Sequence, residues 1–388
     1  MVKKIKDVFA YFNTKRVPSS SFNINSSFAN RSVMSNSKLY VNNPCVRRSV
    51  NVIAQAVSSI KFKVFKDGKY LTKHSLYDLL NQPNSSDCWS AFIEGLVTNF
   101  MIHGNAYVAL MHNDRLQLHN LRSDKVEIVP GAHGVPKAFH YEVDGKRLTF
   151  NNEIEQLPNI GHVKTFNPYD SWYGLSPLEA VNVSANLHQA ITTHNLSMIN
   201  NGGRVSGIVS VKSGANRLTQ EQKEAIKQDL VLQYQGPNNA GRIAFVEGGD
   251  FSWTPMGAST HDMDYVNAKM LASREISEAL GVPSMLIGGT GVSGESSRAN
   301  FKEIVERFHE GTVLPIAQRI FSFLNNWLVA QIDSACTLQM DLEHFLPLHD
   351  KRYELWDKVN AATFLSDAEK RILLGLEHIK DESIVART

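Results

Sequence analysis

The sequence predicts an α+β protein built from several regions, and three observations lead to this prediction. Short apolar–polar alternations separated by turn signals recur between residues 61 and 165, as in antiparallel strands. A long helical pattern that begins with Ser176-Pro177 follows. Beyond it lie a small β-α-β pattern and further long helical segments. Strand-rich and helix-rich stretches therefore occupy different parts of the chain, which is typical of α+β architectures.

Composition narrows the class of protein. The chain has 388 residues, of which 43% are hydrophobic and 20% charged, so a folded protein of two or three domains is expected. A net charge of +2 excludes a strongly basic nucleic-acid coat but leaves local DNA contact open. We find no apolar run of membrane-spanning length and no secretory signal, so we expect synthesis in the cytoplasm and no membrane partner. The three cysteines form no CxxC pair, and we expect no cofactor and no metal.

The first two regions, 1–40 and 41–175, differ in pattern. Ser and Asn dominate the first, which predicts a flexible arm because isolated apolar residues cannot bury enough surface to fold. In the second, we expect an amphipathic helix from Pro44, a hairpin at Asp67-Gly68 and a helix over Trp89–His103. Strands are then expected over Tyr107–Met111, Leu116–Leu121, Val126–Val129, Phe139–Val143, Leu148–Phe150 and His162–Thr165. Together they predict a mostly antiparallel sheet.

The segment 176–202 predicts a long helix with an unusual surface. Ser176 and Glu179 form a capping box, and Gly202 can end the helix after roughly 38 Å. Between Glu179 and Arg204 the chain contains no Asp, Glu, Lys or Arg, whereas a solvated helix normally has a charged face. The helix is therefore expected to pack on several sides, either against like helices in a bundle or ring or inside one large monomer.

A compact β-α-β unit is predicted over 203–257, with a second capping box at Thr219. A second long helix is expected within 258–281, with Asp262 and Asp264 in its first turn and Gly281 at its end. The apolar stripe of this helix comprises Met263, Val266, Met270 and Leu280.

The remaining third is predicted to be mostly helical. A loop rich in Gly and Ser, 282–297, precedes a long helix from Arg298 to about residue 330, which Pro315 should bend. A strand follows in the segment 298–349, over Thr337–Leu342. The last region, 350–388, is helical and contains a third capping box that begins at Ser366.

Several short motifs stand in a fixed order along the chain. They are Tyr173-Gly174-Leu175-Ser176-Pro177-Leu178, Asn201-Gly202-Gly203-Arg204 with Gly207, Leu218-Thr219, Gly241-Arg242, Glu247-Gly248-Gly249 with Trp253 and Pro255, and Leu280-Gly281-Val282-Pro283. Each is weak alone, but their order over residues 173–283 is specific. In these motifs the chain resembles the HK97-type family of bacteriophage portal proteins, with looser similarity over residues 40–375.

The resemblance implies a portal-type subunit of a dodecameric ring around a DNA channel. Its regions would be a flexible arm (1–40), an α/β wing (41–175), stem helix 1 (176–202), a β-α-β clip (203–257), stem helix 2 (258–281), a channel loop (282–297), a kinked helix with a wing strand (298–349) and a helical crown (350–388). Such a protein is a structural component of the virion and not an enzyme.

The resemblance also implies a place and partners. The ring would occupy one capsid vertex after synthesis in the bacterial cytoplasm, and double-stranded DNA would pass through it without sequence specificity during packaging and ejection. The implied protein partners are further copies of the chain, the large terminase, the major capsid protein or a scaffold, and a head–tail connector or adaptor protein.

Four sets of candidate residues follow. The channel loop would place Gly288, Gly289, Thr290, Gly291, Val292, Ser293 and Gly294 beside DNA. Arg298 and Lys302 are possible phosphate contacts, although a solvated or salt-bridged helix face also explains them. The stem would pack through Val181, Leu187, Ile191, Met263, Val266 and Met270. Clip contacts between subunits would involve Gly207, Arg242 and Trp253. No catalytic or metal-binding residue is expected.

Two other functions fit parts of the sequence. The run Gly289–Gly294 matches GxGxxG, which would make the chain a nucleotide-binding enzyme with a glycine-rich loop at 288–297. That site needs a preceding strand and an acidic residue within a βαβ unit. The chain has no GxxxxGK[ST], which excludes the packaging ATPase. Another, non-portal structural protein of the virion is the second alternative, and ring shape and stoichiometry distinguish it.

Overall fold

A computed structural model describes most of the chain. The described residues are 35–112, 115–131, 134–151, 159–200, 207–212, 219–221, 224, 250–255, 264–288, 297–342 and 349–374. The chain divides into two units, Met1–Met34 and Ser35–Thr388, and all described residues belong to the second. Most of the predicted arm thus lies outside the described residues. Its end, however, forms a helix that starts at Asn36, because Leu39 is buried there.

Helices and strands alternate along the described residues. The helices are α1 (Asn36–Asn42), α2 (Pro44–Ser58), α3 (Ser75–Asn81), α4 (Trp89–His103), α5 (Leu178–Asn200), α6 (Tyr265–Ala279), α7 (Ser297–Phe308), α8 (Leu314–Leu324), α9 (His349–Ala361) and α10 (Asp367–Leu373). The strands are β1 (Lys61–Lys66), β2 (Lys69–Leu71), β3 (Asn105–His112), β4 (Leu116–Leu121), β5 (Val126–Val129), β6 (Ala138–Val143), β7 (Lys146–Asn151), β8 (Ile160–Lys164), β9 (Gly207–Lys212), β10 (Asp250–Pro255) and β11 (Cys336–Asp341). None of the described helices combines the length and apolarity that a bilayer-spanning helix needs.

Helices α2 and α4 pack together at the centre of the helical core. The Asn43 side chain accepts hydrogen bonds from the backbone N–H groups of Cys45 (3.0 Å) and Val46 (3.2 Å), so α2 begins at Pro44 as predicted. The predicted apolar face of α2 is buried: Val50, Ile53, Ala54 and Val57. Each large aliphatic side chain buried in this way contributes about 1.5–3 kcal/mol to stability.

The strands are antiparallel, as predicted, but they form three three-stranded sheets instead of one. Their orders are β11-β1-β2, β4-β3-β8 and β5-β6-β7, and β9 pairs with β10. The division has a local cause. Strand β8 returns to pair with β3, while a 3₁₀ turn, Ser123–Lys125, leads the chain out of β4, so that the β6–β7 hairpin extends β5. The hairpin turn predicted at Asp67-Gly68 is confirmed, and a similar turn lies at Asp144-Gly145; φ of the four residues is between 51° and 76°.

Strands of the second and third sheets share one apolar cluster. Its buried members are Tyr107, Ala109, Leu121, Val126, Ile128, Phe139 and Ile160. The ring of Tyr107 stacks on His162 at 4.4 Å and meets Phe139 edge-on at 6.0 Å. Burial, with a smaller contribution from the Lys164 cation, lowers the pKa of His162 to about 3, so this imidazole is neutral. The cluster joins the two sheets beside the start of α5.

The Tyr173-Gly174 pair ties this cluster to the end of α4. The Tyr173 hydroxyl accepts the backbone N–H of Ile128 at 2.8 Å. Asn105 Oδ1 accepts the Gly174 N–H at 2.7 Å. A Cβ atom at residue 174 would lie 2.1 Å from the Gly104 carbonyl oxygen, so only glycine allows this approach of the two backbones.

Ser176 then sets the start of α5. Its Oγ donates to the Ile102 carbonyl at 2.6 Å and accepts the Leu178 N–H at 3.1 Å. The hydroxyl therefore caps α5 and binds the last turn of α4 at the same time. Because of this double role, the direction in which α5 leaves the α/β region is fixed by buried hydrogen bonds.

The predicted bend near Pro315 coincides with a π-helical segment, His309–Val313, between α7 and α8. Its wider turn accommodates a proline that has no N–H to donate. A second π-helical segment, Asn325–Val329, was not predicted. It lies where Asn325 exchanges two 2.8 Å hydrogen bonds with the backbone of Leu338 in β11. The long helix is thereby attached to the first sheet.

The capping box at Ser366 is confirmed. The Ser366 N–H donates to Glu369 Oε2 at 2.9 Å, and the Glu369 N–H donates to Ser366 Oγ at 3.3 Å. These bonds begin α10, so the described part of the predicted crown is helical, as expected.

Candidate assembly surface on helices α5 and α6

Helices α5 and α6 form an antiparallel pair. Ser184 Oγ donates to Glu275 Oε2 at 2.7 Å, and further along α5 the ring of His194 lies 5.0 Å from that of Tyr265, at the start of α6. One side of the pair is buried. On α5 the buried residues are Leu178, Val181, Ala185, His188 and Ile191. On α6 they are Ala272, Ile276 and Ser277.

The start of α2 holds the two helices together. Cys45 Sγ lies 3.6 Å from His188 Nε2 and 3.1 Å from Ser273 Oγ. Asn43 Nδ2 donates to the Ala185 carbonyl at 3.1 Å. Burial, reinforced by the Lys269 cation, lowers the pKa of His188, which keeps the imidazole neutral in this polar contact. These uncharged contacts fix the inner side of α5 without salt bridges.

Seven large apolar side chains of the pair are exposed. We call this set the α5–α6 apolar surface, and it comprises Val183, Leu187, Leu196, Ile199, Val266, Met270 and Leu271. Val183 is 82% exposed and Val266 is 71% exposed. Together with the lack of charged residues in α5 after Glu179, this exposure is typical of a surface that another protein covers.

The structure separates the predicted stem residues into two groups. Val181 and Ile191 are buried inside the subunit, at 2% and 4% exposure, so they cannot pack against other subunits as predicted. Their side of α5 is covered by α6 and the start of α2. Leu187, Val266 and Met270 lie on the α5–α6 apolar surface. Met263 lies outside the described residues.

Two details of the α6 prediction are corrected. Its buried stripe runs through Ala272, Ile276 and Leu280, whereas Val266 and Met270 are 71% and 50% exposed. The helix begins at Tyr265, so Asp264 precedes the first turn and accepts a hydrogen bond from Asn267 Nδ2 at 2.7 Å. The predicted end is confirmed, because Gly281 follows α6 with φ +75°.

The candidate channel and clip residues are only partly described. Gly288 ends the 3₁₀ turn Ser284–Ile287 with φ 88°, and Lys302 is exposed on α7. Residues 289–294, with Gly289, Thr290, Gly291, Val292, Ser293 and Gly294, lie outside the described residues, as does Arg242. Arg298 is described only as backbone in α7. Gly207 is opposite Pro255, and Trp253 opposite Val209, in the β9–β10 ladder. Because α6 and a 3₁₀ turn precede Gly288, the strand that a GxGxxG nucleotide site needs is missing there.

One group of described side chains has metal-binding chemistry: His74, Asp333 and Cys336. Its hydrogen bonds assign another role to it. His74 Nδ1 accepts the Leu76 N–H at 3.2 Å, which leaves the proton on Nε2, 3.4 Å from Asp333 Oδ2. Lys66 Nζ also donates to Asp333 Oδ2, at 2.6 Å. Since Nε2 and the carboxylate are both engaged, the group links β1, α3 and β11 by hydrogen bonds.

Comparison with known proteins agrees with the resemblance in the motifs. The family model described as phage portal protein matches residues 44–375. An uncharacterized protein of Rickettsia bellii is 32% identical over 352 residues, which is 88% of this chain and 89% of that protein. One of Rickettsia felis is 30% identical over 344 residues, 88% of each.

Solved structures show the same relation. A chain from the neck of a native gene transfer agent particle, computed with C12 symmetry, is 34% identical and has a TM-score of 0.67. The match covers 90% of this chain and 94% of that one. An HK97-family phage portal protein from Corynebacterium diphtheriae shares the fold, with a TM-score of 0.57 at 14% identity over 79% of this chain and 95% of its own. The family match extends from α2 to the end of α10 and includes the α5–α6 apolar surface, so the chain belongs to the phage portal protein family.

Proposed function

We propose that this protein forms a ring of twelve subunits at one capsid vertex and that DNA passes through the ring during packaging and ejection. The observation that carries the proposal is the α5–α6 apolar surface, whose seven large apolar side chains are 47–82% exposed in a single subunit. A surface of this kind is stabilised when copies of the chain cover it.

The subunit number is inferred from a relative. The 34% identical chain from the gene transfer agent neck belongs to a particle computed with C12 symmetry. Identity that extends over 90% of this chain leaves the α5–α6 pair inside the shared region. In this arrangement Val183 and Leu187 of one subunit would meet α5 of the next, which has no charged residue after Glu179.

The proposed ring performs no chemistry, and its action is geometric. The 282–297 loop would face the DNA, and Arg298 and Lys302 would contact phosphates without reading bases. The 203–257 clip, through Gly207, Arg242 and Trp253, would contact neighbouring subunits. The large terminase, the major capsid protein or scaffold, and the head–tail connector would then bind at different levels of the same ring in the virion.

The first test is the mass and shape of the purified protein, by light scattering and negative-stain electron microscopy. We expect closed rings with a central channel. The variant Leu187→Glu should remain folded but stay a monomer, because each subunit contact would bury a carboxylate without a partner.

The matched control is Leu187→Met, which keeps an apolar side chain of similar volume and should form normal rings. Circular dichroism of Leu187→Glu must match the wild type. Rings of normal size from a folded Leu187→Glu protein would contradict the assembly surface proposed here. Assemblies that are open or unlike a ring would favour another structural protein of the virion.

A further inference from the structure

A groove of about 630 Å³ runs along strand β8. All five residues of β8, Ile160 to Lys164, line it. Strand β8 is an edge strand: in the described residues it pairs with β3 and with no other strand. The groove therefore lies beside a sheet edge that no other described strand covers.

The hydrogen-bond register shows which backbone groups face the groove. The Thr165 N–H donates to Gly104 O at 2.9 Å, and the Leu110 N–H donates to Asn159 O at 2.8 Å. In an antiparallel pair the bonded positions alternate, so Asn159, Gly161, Val163 and Thr165 direct their backbone groups toward β3. The N–H and C=O groups of Ile160, His162 and Lys164 therefore point away from β3, into the groove, and no described backbone group bonds to them.

The walls of the groove are apolar and aromatic. Phe139, from the neighbouring sheet, forms one side. Phe323 and Trp327, whose rings stack at 5.5 Å, form the other, and Trp172 also lines the groove. A strand with one open edge between two apolar walls has the features of sites that bind an added β-strand: main-chain hydrogen bonds at the edge and contacts for alternate side chains.

The charges of the groove have one sign. Among its fifteen lining residues the permanent charges are Lys164 and Arg319, and none is acidic. Lys164 Nζ donates to the Ser171 and Trp172 carbonyls, and the Arg319 guanidinium lies 5.8 Å from the centre of the Phe100 ring. No carboxylate of the described residues lies in salt-bridge distance of either cation. His162 is neutral because burial lowers its pKa. Its Nε2–H donates to Asn105 Oδ1 at 3.0 Å.

We propose that the β8 edge binds an extended segment of a partner protein as an added antiparallel or parallel strand, and that this segment carries apolar side chains on both faces together with acidic side chains. Its main chain would bond to Ile160, His162 and Lys164. Its apolar side chains would contact Phe139 on one wall and Trp327 on the other, because successive side chains of a strand point to opposite faces. Its carboxylates would pair with Lys164 and Arg319. The proposal does not depend on the ring, since the groove belongs to a single subunit.

The test uses the full chain and a fluorescein-labelled heptapeptide with apolar and acidic residues on both faces, Glu-Glu-Val-Phe-Val-Glu-Glu, in fluorescence anisotropy. We expect saturable binding that weakens with added salt. Two N-methylated versions of the peptide distinguish strand addition from simple apolar contact, because only every second amide of an added strand faces β8. Methyl groups on the amides that face β8 should abolish binding, and methyl groups on the other amides should leave binding unchanged.

Variants test the charge argument. Arg319→Glu should weaken binding about tenfold or more, whereas Arg319→Lys should stay within about threefold of the wild type. Arg307→Glu, an exposed site on α7 with the same change of charge, serves as the control and should bind like the wild type.

Three results would overturn the proposal. Equal binding of both N-methylated peptides would show apolar contact without an added strand. If a peptide with Lys in place of every Glu bound as tightly, the groove would not select an acidic partner. Light scattering measures the mass of the protein. If the peptide binds only as this mass falls, copies of the chain dissociate on binding, and the occupant of the groove is a second copy of this chain.

Discussion

At the scale of single residues, Gly161 shows how closely β8 passes under the aromatic wall. A Cβ atom there would lie 2.5 Å from Trp327 Cδ2 and 2.7 Å from Phe323 Cζ. These two rings are stacked on each other, so neither can move alone. We expect Gly161→Ala to lower the free energy of unfolding by about 1–3 kcal/mol, measured by urea denaturation.

The control for this prediction is Gly311→Ala. Nothing lies within 4 Å of the Cβ position of Gly311, and its φ is outside the left-handed region. The substitution should change stability by no more than about 1 kcal/mol in either direction. If Gly161→Ala cost no more than this control, the aromatic wall would be able to yield, and the close contact would not constrain β8.

Asp333 is the residue for which the structure predicts a pH effect. The hydrogen bond from Lys66, followed by that from the Ala335 N–H, lowers the pKa of Asp333 from 3.8 to about 2. Because the folded pKa is depressed, the carboxylate stabilises the fold at pH values above 3.8, and this stabilisation is lost as the pH falls toward about 2.

We therefore expect Asp333→Asn to be less stable than the wild type at neutral pH, with the difference shrinking between pH 4 and pH 2, about the interval of this titration. Thermal unfolding followed by circular dichroism measures it. Asp341→Asn is a poor control because Lys63 lies 3.4 Å from that carboxylate, whereas Asp144→Asn changes an acid in an exposed turn. A constant difference over the whole pH range would mean that Asp333 does not titrate as stated.

Local signals made some residues predictable and left others hidden. The Asp67-Gly68 turn and the Ser366 capping box depend on neighbours in sequence, and both were predicted correctly. Gly174 and Asn325 depend on partners distant in sequence, Gly104 and Leu338. A motif can mark such a residue as unusual, but its partner becomes visible only in the fold.

At the scale of elements, α5 illustrates a limit of helical periodicity. Ile191 and Leu187 are both apolar and one turn apart, yet one is 4% and the other 47% exposed. The difference arises because Asn43 and Cys45, at the start of α2, reach only one side of α5. Since that contact joins distant parts of the chain, the sequence predicts the helix but not which of its apolar residues remain on the outside.

The prediction for α5 follows from this difference. Ile191→Glu should destabilise the subunit itself by at least about 2 kcal/mol, because the carboxylate would be desolvated in the core. Leu187→Glu should leave the unfolding free energy within about 0.5 kcal/mol, since exposed substitutions rarely cost more. Urea denaturation of both variants under monomeric conditions measures the contrast. Equal stability of the two proteins would contradict the assignment of the buried side of α5.

At the scale of the whole molecule, strand pairing was the least predictable feature. The strands themselves were predicted within a few residues, and their antiparallel sense is confirmed. Their division into sheets was not, because β11 pairs with β1 across most of the chain and β8 pairs back with β3. Such pairings depend on how helices α4 and α8 place the strands, and no local pattern encodes that placement.

The assembled particle provides the last prediction, which concerns the 282–297 loop. Deletion of Gly289–Gly294 should leave ring formation intact, because the α5–α6 apolar surface is unchanged, but it should reduce the amount of DNA packaged or retained in particles. The length control replaces the same six residues with alternating Gly and Ser, which keeps the length of the chain and should package normally. Rings are scored by negative-stain microscopy and DNA by nuclease-protected content. Normal packaging by the deletion variant would show that this loop does not act on DNA, whereas loss of the rings themselves would show that the loop takes part in assembly.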